Sequence, residues 1–262
     1  MSILESIVLG IVQGLTEFLP VSSSGHLVLL QNVFGFAEPQ LFFDTMLHLG
    51  TLIAVVVVMW KEIIDLFRRP FNKMLYLIIA TIPAVIFGFL FSDFVEATFS
   101  GLYLGYGFLI TAIILTLSEQ LSKRQARKSD VGFSSSIVMG FMQVLAMFPG
   151  VSRSGSTIAG GLATGIDRKK AASFSFLMSI PVILGSVVLQ GYKLVKANNV
   201  AVEWMPTIIG TICAAISGYF AVRFMLALIK RKRLYGFAIY VAALGIFVLL
   251  DRYVLGIIHW AQ

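Results

Sequence analysis

The sequence predicts an all-α integral membrane protein, with six transmembrane helices and two re-entrant, broken helical hairpins arranged as an inverted-topology repeat. Three observations predict this fold: an apolar composition, six long apolar runs, and a motif that occurs twice. Of the 262 residues, 58% are hydrophobic and 13% are charged, and the mean hydropathy is +0.91. Soluble domains carry about 25% charged residues. The composition therefore excludes a soluble enzyme, a soluble DNA-binding module and a disordered scaffold.

Six apolar runs are long enough to cross a hydrocarbon core of about 30 Å as helices of about 20 residues. The three tryptophans, Trp60, Trp204 and Trp260, lie at the ends of runs, where interfacial aromatic side chains are enriched. The predicted spans are 42–60, 74–92, 101–121, 171–192, 205–229 and 234–257.

The basic residues indicate the orientation of these spans. The net charge is +7, and most of the 20 lysines and arginines lie in short segments between apolar runs. Such segments face the cytoplasm, whereas a nucleic-acid-binding protein gathers its basic residues on one surface. We therefore expect the lipid bilayer, and no nucleic acid, as a partner. The expected cytoplasmic segments are 61–73, 122–132, 168–170 and 230–233, and the expected periplasmic ones are both termini, 93–100 and 193–204.

Two further regions, 1–35 and 133–166, are apolar but interrupted by proline, glycine and serine. Each is predicted to form two short helices joined by an irregular loop, which a membrane tolerates only where protein or a water-filled cavity covers the backbone. The basic segments can share one side only if region 133–166 enters from the cytoplasm and returns to it. Region 1–35 must then enter and return on the opposite side.

The two broken regions contain the same motif, half a chain length apart. Residues 13–26 and 143–156 both begin with glutamine, continue through an apolar half-helix and a proline, and end in Ser-x-Ser-Gly at the start of a second helix. Together with the opposite entry sides, this similarity predicts a single membrane domain, 1–262, built from inverted halves of roughly 1–121 and 133–257. Paired broken helices of this kind usually frame a site near the midplane.

The second motif, Pro149 to Thr157, predicts a phosphate site. Its glycines let backbone N–H groups converge, and its hydroxyls precede a helix N-terminus, so the loop can cradle an anion. The planar fork of Arg153 suits phosphate oxygens. An arginine in the membrane costs roughly 2.5–3.5 kcal/mol on insertion scales, which favours a functional role for it. For Ser154 and for other serines of the loop, helix capping alone is an equally simple explanation.

The first motif has different chemistry, with a carboxylate, three serine hydroxyls, an imidazole and an amide. Glu17 and His26 supply an acid and a group that titrates near neutral pH, next to candidate nucleophiles. Gln13 shares one helix face with Glu17 because the two are four residues apart. Such a set opposite an arginine suits cleavage of a phosphoryl group better than binding alone. The simpler alternative is helix capping with an internal, hydrogen-bonded histidine.

Asp44 and His48 form another pair four residues apart, inside the first predicted span. They could ligate a metal or support the site through its ligands. A mutually satisfied polar pair in a helix interface is the equally simple alternative.

The motifs at 13–17, 20–26 and 149–157 resemble those of the undecaprenyl-diphosphatase family, the bacitracin-resistance phosphatases of bacterial membranes. The family signatures are [E/Q]-x-x-x-E followed by P-V-S-S-[ST]-G-H, and P-G-x-S-R-S-x-x-T, and the resemblance covers the whole chain. Gln13 occupies the first signature position, which leaves Glu17 as the key carboxylate. The resemblance implies hydrolysis of undecaprenyl diphosphate to the monophosphate and inorganic phosphate. This recycles the lipid carrier for peptidoglycan and confers bacitracin resistance on overproduction.

The resemblance also implies a divalent cation, Mg²⁺ or Ca²⁺, with Glu17 as its expected ligand. Ser23 is expected to attack the terminal phosphorus while His26 and Glu17 handle its proton, and Arg153 stabilises the transition state. His26 as nucleophile, or His26 activating a water, are open alternatives. The expected substrate-binding residues are Gln13, Ser22, Ser24, Ser152, Ser154 and Thr157.

The expected location is the bacterial inner membrane, with a multi-pass chain and an active site that opens toward the periplasm. The expected ligand is a polyprenyl diphosphate lipid, and a homodimer is left open as an assembly. A transporter or lipid flippase is the strongest rival, because inverted repeats with broken helices are typical of carriers. The asymmetry between the two motifs favours the enzyme, since a carrier needs no nucleophile.

Overall fold

The computed structural model describes residues 1–36, 40–122, 130–196, 203–231, 233–258 and 260, and these residues form helices and turns without any strand. The twelve α-helices of this part of the chain are α1 (Ile3–Glu17), α2 (Ser23–Val33), α3 (Leu41–Val58), α4 (Trp60–Leu66), α5 (Asn72–Leu90), α6 (Ser92–Ala97), α7 (Leu104–Ser122), α8 (Phe133–Leu145), α9 (Arg153–Ala163), α10 (Arg168–Lys196), α11 (Trp204–Leu228) and α12 (Tyr235–Leu250). A 3₁₀ turn, Thr98–Ser100, precedes α7, and a π-helical turn, Asp251–Leu255, follows α12.

Six of these helices are long and apolar enough to cross a membrane, which confirms the six predicted spans and the all-α membrane class. They cover Leu41–Val58, Asn72–Leu90, Leu104–Ser122, Arg168–Lys193, Trp204–Leu228 and Tyr235–Leu255. The third begins three residues later than predicted. Gly101 has a left-handed backbone, with φ 89°, and a residue of that conformation ends the preceding turn.

Polar contacts define two ends of the molecule. Helix α10 has 29 residues and is therefore about 43 Å long. At its first residue, Arg168 donates two hydrogen bonds to Glu119, the last charged residue of α7, at 2.7 and 3.0 Å. Near its last turn, Lys193 Nζ donates to Glu96 of α6 at 2.6 Å. We call these the Glu119 end and the Glu96 end.

The two broken hairpins begin at opposite ends of the molecule. Lys170, in the first turn of α10, lies 3.3 Å from Asp130, just before α8, so α8–α9 begins at the Glu119 end. The amino group of Met1 donates to Glu203 at 2.9 Å, and Glu203 directly precedes α11, beyond the far end of α10. Hairpin α1–α2 therefore begins at the Glu96 end. Membrane re-entry and the division into inverted halves stay predictions.

The basic segments of the described chain also lie at one end of the molecule. These segments are 61–73, 168–170 and 230–233, of which Lys232 lies outside the described residues. Each precedes or follows a spanning helix at the Glu119 end. Of the predicted segment 122–132, residues 123–129 lie outside the described residues. The C-terminal region lies at the other end, because Arg252 donates to the carbonyl of Gly101 at 3.1 Å. By the rule that basic loops face the cytoplasm, the Glu119 end is the expected cytoplasmic end, and this orientation stays a prediction.

Small residues let each hairpin pack tightly against a span of the opposite half. Helix α1 packs on α11, where a Cβ at Gly10 would lie 2.3 Å from the carbonyl oxygen of Gly210. Helix α8 packs on α5, where a Cβ at Gly140 would lie 2.7 Å from the carbonyl oxygen of Ala80. Close backbone contact through small residues is a typical mode of helix association in membranes. The packing brings the loops of both hairpins into the interior.

Candidate functional site

The loops that join the two helices of each hairpin meet each other inside the protein. Ser154 Oγ, on the second hairpin, donates to the carbonyl of Leu19, on the first, at 2.9 Å. A Cβ at Gly155 would lie 3.2 Å from Cβ of Pro20, which again joins the two loops. The structure therefore brings together two motifs that lie half a chain apart in the sequence.

The two loops end in the same capping arrangement. Ser22 caps α2 and Ser152 caps α9, and each hydroxyl accepts the backbone N–H three residues later, at 3.3 and 3.0 Å. Each cap hydroxyl also lies near the hydroxyl two residues later, which is Ser24 at 3.4 Å and Ser154 at 3.3 Å. The sequence similarity between the motifs thus corresponds to a local similarity in structure.

One backbone difference distinguishes the two loops. Ser22 has φ 68° and ψ 92°, a left-handed conformation, whereas Ser152 has φ −72° and ψ 118°. In the second loop the left-handed residue is Gly150, with φ 88°. The equivalent position of the first loop is Pro20, and a proline ring does not allow positive φ. The left-handed turn therefore falls on Ser22, where a side chain makes it costly.

Glu17 is the centre of the cluster. Its Oε1 accepts from Nη2 of Arg153 at 2.5 Å, and its Oε2 accepts from Oγ of Ser23 at 2.6 Å and from Nε2 of Gln13 at 2.8 Å. The Glu17 residue is only 6% exposed, so these donors compensate a charge that would otherwise be expensive to bury. Both motifs thus contribute to one site, with a hydroxyl and a guanidinium on the same carboxylate.

His48 completes the surroundings of this carboxylate. Its Nε2 lies 3.4 Å from Oε2 of Glu17, and its Nδ1 donates to the backbone carbonyl of Asp44 at 2.7 Å. The Asp44 carboxylate instead accepts from Nε2 of Gln31, at 2.7 Å. His48 therefore stands beside the site as a supporting residue, while the carboxylate of Asp44 bonds to another partner.

Arg153 and Thr157 are tied to α10 through Ser175. Nη1 of Arg153 donates to the carbonyl of Ser175 at 3.2 Å, and Oγ1 of Thr157 lies 2.6 Å from the Ser175 hydroxyl. Sequence reasoning missed Ser175 because it belongs to no motif. Its only signal is a hydroxyl within an apolar span that follows the arginine motif.

His26 makes different contacts. Its Nδ1 lies 2.8 Å from the carbonyl oxygen of Ser22, and its Nε2 lies 2.7 Å from the hydroxyl of Tyr240 on α12. The Tyr240 ring stacks on the imidazole, with centroids 5.7 Å apart. Glu17 and Ser23 bond to each other, and the two ring nitrogens of His26 bond elsewhere. Tyr240 was also missed, since a single tyrosine in an apolar span carries no motif.

The oxygen atoms around Glu17 suit a divalent cation that is shared with a substrate. Gln13 is fully buried, and its Oε1 has no hydrogen-bond partner within the described part of the chain. The same part contains no group of three histidine, cysteine, aspartate or glutamate side chains that could hold a metal. Mg²⁺ commonly binds one or two carboxylates together with substrate phosphates. The donor set fits a cation of that kind and does not form a cage made of protein ligands alone.

These features define a polytopic helical membrane protein with a serine–carboxylate pair and an arginine at the meeting point of two broken hairpins. A hydroxyl bonded to a carboxylate is an activated nucleophile, and a guanidinium beside it can stabilise charge on a phosphoryl group. Residues 6–247 match the sequence profile of the family described as bacitracin resistance protein BacA. The chain belongs to this family.

Curated relatives cover nearly the whole chain. An undecaprenyl-diphosphatase of Carboxydothermus hydrogenoformans is 45% identical over 253 residues, which cover 95% of this chain and 97% of that protein. An undecaprenyl-diphosphatase 4 of Bacillus cereus is 44% identical over 251 residues, covering 95% and 97%. An undecaprenyl-diphosphatase of Methanosphaera stadtmanae is 38% identical over 279 aligned positions, covering 97% and 100%. The family resemblance seen in the motifs is therefore confirmed.

Proposed function

We propose that this protein hydrolyses undecaprenyl diphosphate to undecaprenyl phosphate and inorganic phosphate. Undecaprenyl phosphate is the lipid carrier for peptidoglycan and other envelope polymers, and the reaction recycles this carrier. Overproduction of the enzyme gives bacitracin resistance. One observation carries the proposal: Ser23 of the first hairpin and Arg153 of the second contact the same buried carboxylate, Glu17. Family membership supports the choice of substrate.

The proposed reaction begins with attack by Oγ of Ser23 on the terminal phosphorus. Glu17 Oε2 already accepts the hydrogen bond of this hydroxyl at 2.6 Å, so it takes the proton as the new P–O bond forms. The bond from the terminal phosphorus to the bridging oxygen breaks, and undecaprenyl phosphate leaves with the electron pair. Water then attacks the phosphoserine, which releases inorganic phosphate and restores Ser23.

Arg153 would exchange its resting contact for the substrate. Its two terminal nitrogens hold Glu17 and the carbonyl of Ser175 at rest, and a diphosphate is a stronger partner for a planar fork. The N-terminus of α9, capped by Ser152, adds backbone donors beside the phosphates. Ser154 and Thr157 lie on the first turn and a half of this helix.

A divalent cation, Mg²⁺ or Ca²⁺, is part of the proposal. Glu17 and the unpaired Oε1 of Gln13 would hold it together with phosphate oxygens. When bound, such an ion neutralises charge on the diphosphate. Among the described residues, Glu17 is the single carboxylate that bonds to both Ser23 and Arg153. Substrate oxygens would therefore have to take the place of a second carboxylate ligand of the cation.

We further propose that the protein lies in the bacterial inner membrane with its site open to the periplasm. The basic residues at the Glu119 end support a cytoplasmic position for that end. A homodimer stays a prediction.

A carrier is the second candidate function, because two broken hairpins that begin at opposite ends are typical of alternating-access transporters. Phosphate release discriminates between the two. The test uses purified protein in detergent with a C15 or C55 diphosphate and a divalent cation. Wild type and Ser118→Ala, whose hydroxyl bonds to the carbonyl of Leu115 within α7, should release phosphate, and Ser23→Ala should not. Absence of release from well-folded wild type would refute the proposed function.

A further inference from the structure

The hydrogen bonds of His26 determine which ring nitrogen carries the proton. The carbonyl oxygen of Ser22 can only accept, so Nδ1, at 2.8 Å, must be the donor. In the neutral ring Nε2 is then an acceptor, and the hydroxyl of Tyr240, at 2.7 Å, donates to it. The tautomer of a histidine is set by the partner of its other nitrogen. The Ser22 carbonyl therefore keeps the proton on Nδ1, and the Tyr240 hydroxyl stabilises that tautomer by donating to Nε2.

The second hairpin provides an internal comparison. Ser156 occupies the position of His26, and its buried hydroxyl has no partner within the described residues. The preceding cap, Ser152, has an ordinary extended backbone with φ −72°. In the first hairpin, the cap residue Ser22 is left-handed, with φ 68°, and its carbonyl accepts a hydrogen bond from the His26 side chain. This pairing links the imidazole to the unusual backbone.

The conformation of Ser22 decides where the next side chain points. Ser23 is the first residue of α2, and its Oγ lies 2.6 Å from Glu17. A change at the Ser22 peptide would rotate the start of α2 and move this hydroxyl away from the carboxylate. A displacement of about 1 Å at a reacting group can reduce turnover about 10²-fold.

We propose that His26 and Tyr240 are positioning residues: Tyr240 stabilises the Nδ1-protonated tautomer of His26, and His26 holds Ser22 in the left-handed conformation that directs Ser23 toward Glu17. The proposal rests on the proposed function in one respect, the role of Ser23 as nucleophile. Both ring nitrogens of His26 are engaged in this arrangement. His26 consequently exchanges no proton with Ser23 during turnover.

The first test needs no activity. Wild-type protein labelled with ¹⁵N-histidine in detergent gives ring signals from three histidines, and His26→Asn identifies those of His26. At pH 8 we expect a neutral ring protonated at Nδ1, and Tyr240→Phe should reduce the population of that tautomer. Protonation at Nε2 in the wild type, or no effect of Tyr240→Phe, would overturn the proposal. This result stands even if the wild type releases no phosphate.

The second test separates positioning from proton transfer. Asparagine at position 26 can place an amide N–H near the site of Nδ1, but it can neither carry a proton nor attack phosphorus. We expect His26→Ala to lower kcat about 10²-fold, and His26→Asn to restore most of that loss. KM should be unchanged in both variants. An asparagine variant that folds like the wild type and is as inactive as the alanine variant would refute a positioning role.

Tyr240 has a matched control. Tyr219 is another tyrosine of an apolar span, and its hydroxyl bonds to Arg223 on the surface, at 2.9 Å. Tyr240→Phe should lower kcat several-fold with unchanged KM, and Tyr219→Phe should leave both at wild-type values. Equal kcat for Tyr240→Phe and wild type would show that Tyr240 has no part in positioning the nucleophile.

Discussion

Replacement of Arg153 by lysine keeps the charge and removes the fork. Nη2 of the arginine bonds to Glu17 at 2.5 Å, and Nη1 bonds to the carbonyl of Ser175 at 3.2 Å. A lysine has a single nitrogen on a flexible chain, so it cannot hold both contacts or present two donors to a diphosphate. Loss of one preorganised donor costs about 10²- to 10³-fold in kcat. We expect Arg153→Lys to lose at least 10²-fold.

The effect on stability separates the lysine variant from an alanine variant. The Arg153 and Glu17 side chains are 15% and 5% exposed, and removal of one partner of a buried ion pair costs about 3–5 kcal/mol. Arg153→Ala should therefore destabilise the protein by about that amount, and less when Glu17→Gln is present. Arg153→Lys should unfold near the wild-type denaturant concentration, since its charge remains.

The assay combines phosphate release with unfolding in mixed detergent micelles. Arg223→Lys is the control, because Arg223 is an exposed arginine on a spanning helix that bonds to Tyr219. We expect wild-type kcat for this control. A folded Arg153→Lys protein with near wild-type kcat would show that the arginine is structural, and the phosphate role of the second motif would then be wrong.

Three further predictions concern topology, the cation and the Glu119 end. Single cysteines at Ser2 and Lys230, in a Cys213→Ser protein, should react with an impermeant reagent from opposite sides of the membrane; reaction from the same side would contradict the inverted arrangement. Gln13→Ala should raise the cation concentration needed for half-maximal phosphate release about tenfold or more, and an unchanged requirement would remove Gln13 from the cation site. Glu119→Gln should lower stability by about 3–5 kcal/mol with unchanged KM, as measured by unfolding and by phosphate release, and wild-type stability would mean that this ion pair is weakly coupled to the fold.

The spanning helices were predictable because each depends on the composition of one continuous segment. An apolar run of about 20 residues has few alternatives to a membrane helix. The candidate site was predictable in part for the same reason: Pro, Gly and Ser interrupt regions 1–35 and 133–166, and the motifs mark the interruptions. The contact between Glu17 and Arg153 was not predictable from composition, because the two residues belong to different hairpins.

The supporting residues were missed for a related physical reason. Ser175 and Tyr240 are single polar residues in spans, and nothing local distinguishes such residues from those that only join helices. The left-handed conformation of Ser22 has a signal in hindsight, since Pro20 replaces the glycine at the matching position. Recognition of that signal needs the second loop as a reference. The duplicated motif is therefore informative where its two copies differ.

The difference between the two copies also explains how one site combines the proposed nucleophile with a guanidinium. Ser23 and Arg153 occupy the same position, the first residue of a helix capped by Ser22 or Ser152. Both side chains bond to Glu17, so the first residues of α2 and α9 meet at one carboxylate. Helix N-termini carry partial positive charge and favour anions. A diphosphate bound between them would meet both helix dipoles, with the attacking hydroxyl on one side and the guanidinium on the other, which is the geometry that a phosphoryl transfer requires.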